Sequence, residues 1–357
     1  MLYSLHSTTK SDSKGSSIEH RIFRSKLLED FRITASFIGR TAFKRVKGFG
    51  RSLTLMVVVF FVRAVIGGNI VPQAISNIVN ALKDEETNIL VYGLGLFGVS
   101  AIVYAITEFV LFRYFRKLAE TIVTLKKYML SSIRDGGAVD APEDVIGRVS
   151  SDVDFVVWNM NATLVTLIPN IFTGIVATYT VFDFNMQVGM VTLCTLLPYL
   201  LLAEYYSRRA EAARLEERHE YSVSIAYIRD IVYWQQENGF LDKVLEKWYR
   251  AILRVMWYDR VYWGMSLFTQ FASLGLVSSI ALSQARSGFI NAGSLAGILS
   301  AAISAHTALL NAMWALCIQG QTTAAIKRVI AYFYDKEQGY EKATAYSTAP
   351  AIRGFKS

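Results

Sequence analysis

Charged residues are scarce in this chain. Asp, Glu, Lys and Arg make up 18% of its 357 residues, whereas soluble proteins of average composition carry about 25%. Hydrophobic residues reach 53%, and the mean hydropathy is positive. This balance argues against two soluble domains, which the length alone would suggest.

Cysteine is rare, and one catalytic signature is missing. Cys194 and Cys317 both lie inside apolar runs, so we expect small buried side chains rather than a disulfide framework or a metal site. No glycine is followed directly by a lysine, which excludes a G-x-x-x-x-G-K-[ST] phosphate loop from these residues. We therefore expect no enzymatic activity, no metal and no cofactor in this chain itself.

Long apolar runs are the feature that the sequence does contain. Six occur, at residues 53–82, 89–112, 162–182, 188–203, 261–283 and 295–316. Most are long enough to cross a hydrocarbon layer of ~30 Å at ~1.5 Å per helical residue. The predicted fold is all-α, a polytopic membrane protein with six transmembrane helices.

The connections between these runs alternate in length. Short turns join runs one and two, three and four, and five and six, whereas residues 113–160 and 204–260 are long, charged and rich in helix formers. We name these connections the first arm (113–160) and the second arm (204–260). The sequence predicts three membrane hairpins whose helices continue out of the bilayer on one side as these arms.

Lys and Arg are concentrated on the side of the arms. Eleven precede the first run, seven lie in the first arm, nine lie between residues 208 and 254, and six follow the last run. The short turns hold only Lys83 and Arg286. By the positive-inside rule, both termini and both arms are cytoplasmic, or face the matrix of an organelle.

The N-terminal residues divide into two parts. Residues 1–28 are predicted to be a disordered or targeting leader. Residues 1–17 are rich in Ser and Thr and lack the apolar core of a secretory signal peptide. Residues 29–47 alternate apolar and basic side chains at roughly helical spacing and are predicted to lie on the membrane face as an amphipathic helix. A solvated basic leader and an organellar transit peptide remain alternatives, because the first fifty residues are Ser-rich, basic and poor in acidic residues.

Each arm contains a break between helical stretches. In the first arm a helical stripe runs to Ile133, and a cluster with Gly136, Gly137 and Pro142 interrupts it. In the second arm, Asn238 and Gly239 form the break. The predicted shape of each arm is helix, bend, helix.

Three local strings, in this order and topology, carry a family resemblance. Residues 145–153 (VIGRVSSDV) are similar to an "isRl.sDv" stretch, with Arg148 and Asp152 at the matching places. Residues 228–243 are similar to a "gi..vk.f..E" stretch, with Trp234 as the aromatic residue and Glu237 as the acid. Residues 321–329 resemble an exit from the sixth helix. Together they resemble the transmembrane domain of a type I exporter of the ABC transporter superfamily.

The resemblance covers residues 29–335 and leaves 336–357 as a C-terminal tail. It implies an elbow helix at 29–47, a homo- or heterodimer, and two arms whose bends dock on an ATPase. The coupling-loop candidates are Arg134, Asp135, Gly136, Gly137, Asp140, Tyr227, Arg229, Trp234 and Glu237. The resemblance also implies that ATP is bound by a partner subunit and not by this chain. The chain is expected to be surrounded by membrane lipid, and nucleic acid is not an expected partner.

The chain also departs from that family at the bends. Gly136 and Gly137 replace aromatic residues, Pro142-Glu143 lies near the position of a glycine, and Tyr227 replaces a second glycine. No ATP-binding motif follows the sixth run. The departures fall where coupling helices dock, so they favour a separate ATPase or no ATPase at all.

Gly93, Gly95 and Gly98 form a G-x-G-x-x-G pattern that is not a dinucleotide site. That motif binds nucleotides between a strand and a helix, and here it lies inside a membrane run. Close helix packing is the preferred interpretation. The small residues Gly293, Gly297, Ala301 and Ala305 repeat every four positions and predict a smooth packing face on the sixth helix.

Ionisable residues inside apolar runs are candidate functional groups, because each is unfavourable in lipid. Arg63 lies 22 residues before Glu85 and Glu108 lies 23 residues after it, so an antiparallel hairpin places them at equal depth. We predict an ion pair near the inner leaflet boundary; the alternative is Arg63 reaching the headgroups and Glu108 facing water. Glu204 and His306 are candidates for a cavity or proton path, and a packing role is the alternative for His306.

Three functions follow from these patterns. The first is the membrane-spanning subunit of an ABC-type transporter that needs a separate ATPase. The second is a degenerate copy of that fold serving as a structural or accessory subunit of a larger membrane complex. The third is a transporter driven by an ion gradient, with a protonatable residue such as Glu108, Glu204 or His306. The expected location is the bacterial cytoplasmic membrane or an organelle inner membrane.

Overall fold

The computed structural model describes residues 26–134, 149, 152–234 and 240–334. Regular structure in these ranges is helical throughout, without strands. The helices are α1 (Lys26–Ile38), α2 (Phe49–Val65), α3 (Val71–Asp84), α4 (Thr87–Arg134), α5 (Val153–Ala162), α6 (Ile168–Phe184), α7 (Met186–Trp234), α8 (Leu241–Arg286) and α9 (Ala292–Tyr334). Single π-helical turns lie at Gly39–Phe43, Ile66–Ile70 and Thr163–Leu167.

Six helical stretches are long and apolar enough to cross a membrane. Helices α2 and α3 together form the first (Phe49–Asp84), and α5 and α6 together form the third (Val153–Phe184). The second, fourth, fifth and sixth lie in α4, α7, α8 and α9. Each predicted apolar run falls inside one of these stretches, so the expectation of an all-helical chain with six potential spans is confirmed.

Two of the spans contain a π turn just before a proline. Ile66–Ile70 precedes Pro72, and Thr163–Leu167 precedes Pro169. Proline has no N–H, and its ring crowds the carbonyl four residues earlier, so a locally wider turn accommodates it. The helix axis therefore continues through both prolines.

Capping residues lie at the short turns between the paired helices. Asn185 lies between α6 and α7, and its Oδ1 accepts a hydrogen bond from the Val188 N–H at 3.0 Å. Asn291 caps α9 in the same way, accepting from the Ser294 N–H at 2.7 Å. At the end of α3, Glu85 adopts a left-handed conformation with φ of 55°. The side-chain oxygens of Asn185 and Asn291 satisfy N–H groups in the first turn of the helix that follows each of them.

Four helices are much longer than a bilayer is thick. Helices α4, α7, α8 and α9 have 48, 49, 46 and 43 residues, or ~65–75 Å at ~1.5 Å per residue, against a hydrocarbon layer of ~30 Å. The excess in α4, α7 and α8 is the polar sequence of the two arms. Both predicted bends lie outside the described residues.

Helix α9 is the centre of the packing. It contacts α1 and every helix from α3 to α8, and 56% of its span is buried. The Gly293 N–H donates to Asn80 Oδ1 at 3.0 Å, and a Cβ at Gly297 would lie 2.6 Å from the Phe184 ring. Ala301 and Ala305 are fully buried. The predicted smooth face on this helix is confirmed.

Two packing predictions are wrong. Only Gly93 of the G-x-G-x-x-G pattern approaches a neighbour, since its Cβ would lie 2.6 Å from Ile78. Gly95 and Gly98 have open space beside them, because they lie on the outward side of α4, whose span is only 11% buried. Cys194 is exposed, whereas Cys317 is buried as expected. An apolar run alone does not show which side of its helix meets another helix.

Candidate functional site

The two arms meet through a buried group of charges. Asp152, at the start of α5, and Glu217, on α7, are 2% and 8% exposed. Arg218 lies beside both, with Nη1 3.8 Å from the Asp152 carboxylate and Nε 3.7 Å from that of Glu217. Arg214 Nη1 is 3.2 Å from Glu217 Oε2. Arginines on α7 therefore balance acids from both arms.

Further contacts extend this group to the other arm helices. Lys126 on α4 donates to the Asp154 carboxylate on α5 at 2.8 Å. Trp248 Nε1 on α8 donates to Glu217 Oε1 at 3.3 Å. The guanidinium carbons of Arg214 and Arg218 lie 5.6 and 4.8 Å from the Phe155 ring centroid. We call this set the arm network; it consists of Lys126, Asp152, Asp154, Phe155, Arg214, Glu217, Arg218 and Trp248.

The position of the arm network matters for what it can do. Glu217 lies 13 residues beyond Glu204, where the fourth apolar run ends, so the network lies ~20 Å beyond the end of that run along α7. Burying charges is unfavourable unless each is paired. Because α4, α5, α7 and α8 all contribute partners, a displacement of one arm helix is resisted by the other three.

The coupling-loop candidates are only partly visible. Asp135, Gly136, Gly137, Asp140 and Glu237 lie outside the described residues. Arg134 and Trp234 are the last residues of α4 and α7. Tyr227 is half-buried within continuous α7 helix, and Arg229 pairs with Asp230 at 2.7 Å. Tyr227 and Arg229 therefore lie near the C-terminal end of α7, in the second arm.

Arg63 and Glu108 are in contact, as the hairpin count predicts. Arg63 Nη2 lies 2.5 Å from Glu108 Oε1. Arg63 Nε also donates to Thr107 Oγ1 at 2.6 Å, and Nη2 donates to the Tyr104 carbonyl at 3.2 Å. The Arg63 side chain is 16% exposed and that of Glu108 is 64% exposed. The pair joins α2 to the outward side of α4.

The other two intramembrane candidates have local partners. His306 is fully buried; its Nδ1 is 2.9 Å from the Ala302 carbonyl, and its Nε2 is 3.1 Å from Thr195 Oγ1. Glu204 accepts from Arg208, one turn later on α7, at 3.0 Å. These contacts favour the packing interpretation of His306 and place Glu204 in a surface pair of the helix.

Sequence reasoning missed the aromatic cluster beside Glu204. Tyr206, Tyr262, Trp263 and Trp314 pack with ring centroids 5.1–6.1 Å apart. The Tyr206 hydroxyl donates to Asp259. This cluster joins α7, α8 and α9 where the spans become arms. The sequence did contain a signal for this cluster, because its aromatic residues lie near the ends of three apolar runs.

Comparison with known proteins gives no assignment. No family model matches this chain, and no curated protein matches it. The resemblance to ABC exporters therefore stays a prediction from local strings and layout.

Proposed function

We propose that this chain is the membrane-spanning subunit of an ABC-type transporter whose ATPase is a separate subunit. The observation that carries the proposal is the construction of the arms. Helices α4, α7 and α8 run without interruption from the membrane-spanning runs into the polar arms. The arm network ties them together outside the hydrocarbon layer. Rods of this kind transmit a movement at their tips to the spans.

The proposal includes an arrangement in the membrane. Two copies, or this chain and a related one, form a dimer surrounded by lipid. Both termini and both arms face the cytoplasm or the matrix, as the distribution of Lys and Arg supports. ATP is bound by the partner alone, and its hydrolysis moves the arms as rigid bodies.

Copurification tests this function directly. The tagged chain, extracted from its native membrane in mild detergent, is expected to bring down a protein with an ATP-binding motif in stoichiometric amount. In liposomes, that complex is expected to hydrolyse ATP. Arg229→Glu, near the tip of the second arm, should lower ATPase recruitment several-fold. Arg116→Glu, exposed on the first arm near the membrane, is the matched control and should leave it unchanged.

A structural or accessory role is the second candidate. Tyr227 replaces the glycine that the resembling family has in the second arm, and it lies half-buried in unbroken helix. A surface altered in this way favours permanent attachment to a larger complex over a moving joint. Copurification of a stable assembly without any ATP-binding protein supports this function and contradicts the first.

Transport driven by an ion gradient has less support. His306 contacts the Ala302 carbonyl and the Thr195 hydroxyl. Glu108 pairs with Arg63, and Glu204 pairs with Arg208. A proton carrier needs a group that alternates between partners. Proton-dependent uptake in liposomes, lost in Glu108→Gln, would restore this candidate.

A further inference from the structure

A cavity of about 460 Å³ opens between the N-terminal helix and the third span. Its walls come from α1, the π turns at Gly39–Phe43 and Thr163–Leu167, the start of α6, and Leu316 of α9. The volume lies within the ~300–1,000 Å³ range of small-molecule sites. Nearly all of its lining side chains are apolar. We call it the α1 groove.

The α1 groove lies at membrane depth in one leaflet. Along the third span, Ile171 and Thr163 are 14 and 22 residues from the turn at Asn185, or ~21 and ~33 Å at ~1.5 Å per residue. A hydrocarbon layer of ~30 Å that starts near that turn ends within the groove. The groove therefore belongs to the leaflet on the side of the arms.

Its mouth is open and its floor is closed. Leu28, Phe31 and Phe43 line it and are 70%, 42% and 46% exposed. Leu164 and Leu167 at the base are under 9% exposed. Large apolar side chains at an open mouth suit a hydrocarbon chain entering from the bilayer rather than a polar solute.

A basic stripe runs beside the mouth. Arg32, Arg40 and Lys44 are exposed and separated by eight and four residues, so they share one side of the helical segment. Leu28, Ala35 and Phe43, which line the groove, occupy the adjacent side. Exposed cations this close to a leaflet attract anionic headgroups.

We propose that the α1 groove holds one acyl chain of an anionic phospholipid whose headgroup lies against Arg32, Arg40 and Lys44. The site is independent of any ATPase and therefore of the function proposed above. It fixes α1 against the third span through a bound lipid.

Photocrosslinking in liposomes tests this site. The probe is phosphatidylglycerol with a diazirine on one acyl chain, and crosslinked peptides are identified by mass spectrometry. We expect crosslinks concentrated in residues 28–43 and 163–171. Tenfold excess phosphatidylglycerol should reduce them several-fold, and phosphatidylcholine with the same chains should not. The proposal is overturned if crosslinks are spread evenly over all six spans, or if both lipids compete equally. Neither result requires a variant of the protein.

Two variants separate the chain pocket from the headgroup site. Ala35→Trp fills the groove and should reduce crosslinking there several-fold; Ala101→Trp, on the exposed side of α4, is the matched control. The double variant Arg32→Gln and Lys44→Gln should keep the crosslinks but abolish the preference for phosphatidylglycerol, whereas Lys83→Gln at a turn should preserve it. Unchanged crosslinking in Ala35→Trp contradicts the pocket, and an unchanged preference contradicts the stripe.

Discussion

Single residues decide how closely the helices approach. Gly297 on α9 lies against Phe184, and its missing side chain leaves room for that ring. In a membrane, helix association depends on such close packing, because lipid removes most of the hydrophobic driving force. Gly93 has this role on α4, whereas Gly95 and Gly98 do not.

Replacing Gly297 by Leu is therefore expected to destabilise the fold. A Cβ there would lie 2.6 Å from Phe184 and 3.2 Å from the Pro72 carbonyl, and overpacking of this kind costs ~1–3 kcal/mol. Gly275→Leu is the control, because nothing lies within 4 Å of its Cβ. Thermal unfolding in detergent should show a lower transition temperature for Gly297→Leu only; equal transitions would exclude tight packing at this point.

The Arg63–Glu108 pair gives a second prediction at this scale. Arg63→Leu and Glu108→Leu each leave one charge in an apolar span, so both should lower the unfolding temperature. The exchanged variant Arg63→Glu with Glu108→Arg should recover part of the loss. Polar pairs between membrane helices couple by about 0.5–1.5 kcal/mol. A double-mutant cycle measures the coupling, and a value of zero would mean that each group is solvated separately.

Among the elements, the arm helices have the most distinctive construction. Asp152 and Glu217 are buried charges held by arginines of α7. Exposed pairs such as Glu246–Arg250, within one helix at 2.9 Å, contribute little to stability. The contrast lies in burial, because a buried charge that loses its partner is not compensated by water.

Asp152→Asn is expected to loosen the arms. Removing one partner from a largely buried pair costs up to about 3 kcal/mol. Amide hydrogen exchange should accelerate in α5 and around Arg218, where the partners lie. Glu246→Gln, the matched removal of an exposed charge, should leave exchange in both regions unchanged. Unaltered exchange in Asp152→Asn would show that the arm network does not hold the arms together.

At the scale of the whole molecule, six helical stretches that are long and apolar enough to cross a membrane pack with α9 at the centre. Helix α9 contacts seven other helices, and its apolar stretch is the most buried of the six. Helix α4 lies at the outside, with 11% of its span buried. The long polar extensions of α4, α7 and α8 leave the spans at the same end, opposite the short turns.

Sidedness of this arrangement is testable by cysteine labelling. In a background of Cys194→Ala and Cys317→Ala, a membrane-impermeant thiol reagent added outside intact cells or organelles should label Lys83→Cys and Arg286→Cys. Glu211→Cys and Glu246→Cys on the second arm should react only after the membrane is opened. Labelling of all four from one side would contradict the six-span topology.

Much of this architecture follows from local sequence. The length of each apolar run sets a potential span, and equal counts on both sides of Glu85 place Arg63 opposite Glu108. The four-residue repeat from Gly293 to Ala305 indicates a packing face. Each of these depends on helix geometry alone, so periodicity is sufficient to predict it.

Other features required the folded chain. The side of a helix that meets a neighbour is set by packing, which is why Cys194 and Gly98 were misjudged. Asp152 meets Arg218 from 66 residues away in the sequence, and the α1 groove combines three separate segments. The sequence by itself determined where helices form and how long they are, because hydrogen bonding within a helix and transfer of side chains into lipid are local. Only the tertiary structure decided which charges are buried together and where a cavity opens, because these depend on contacts between segments distant in the chain.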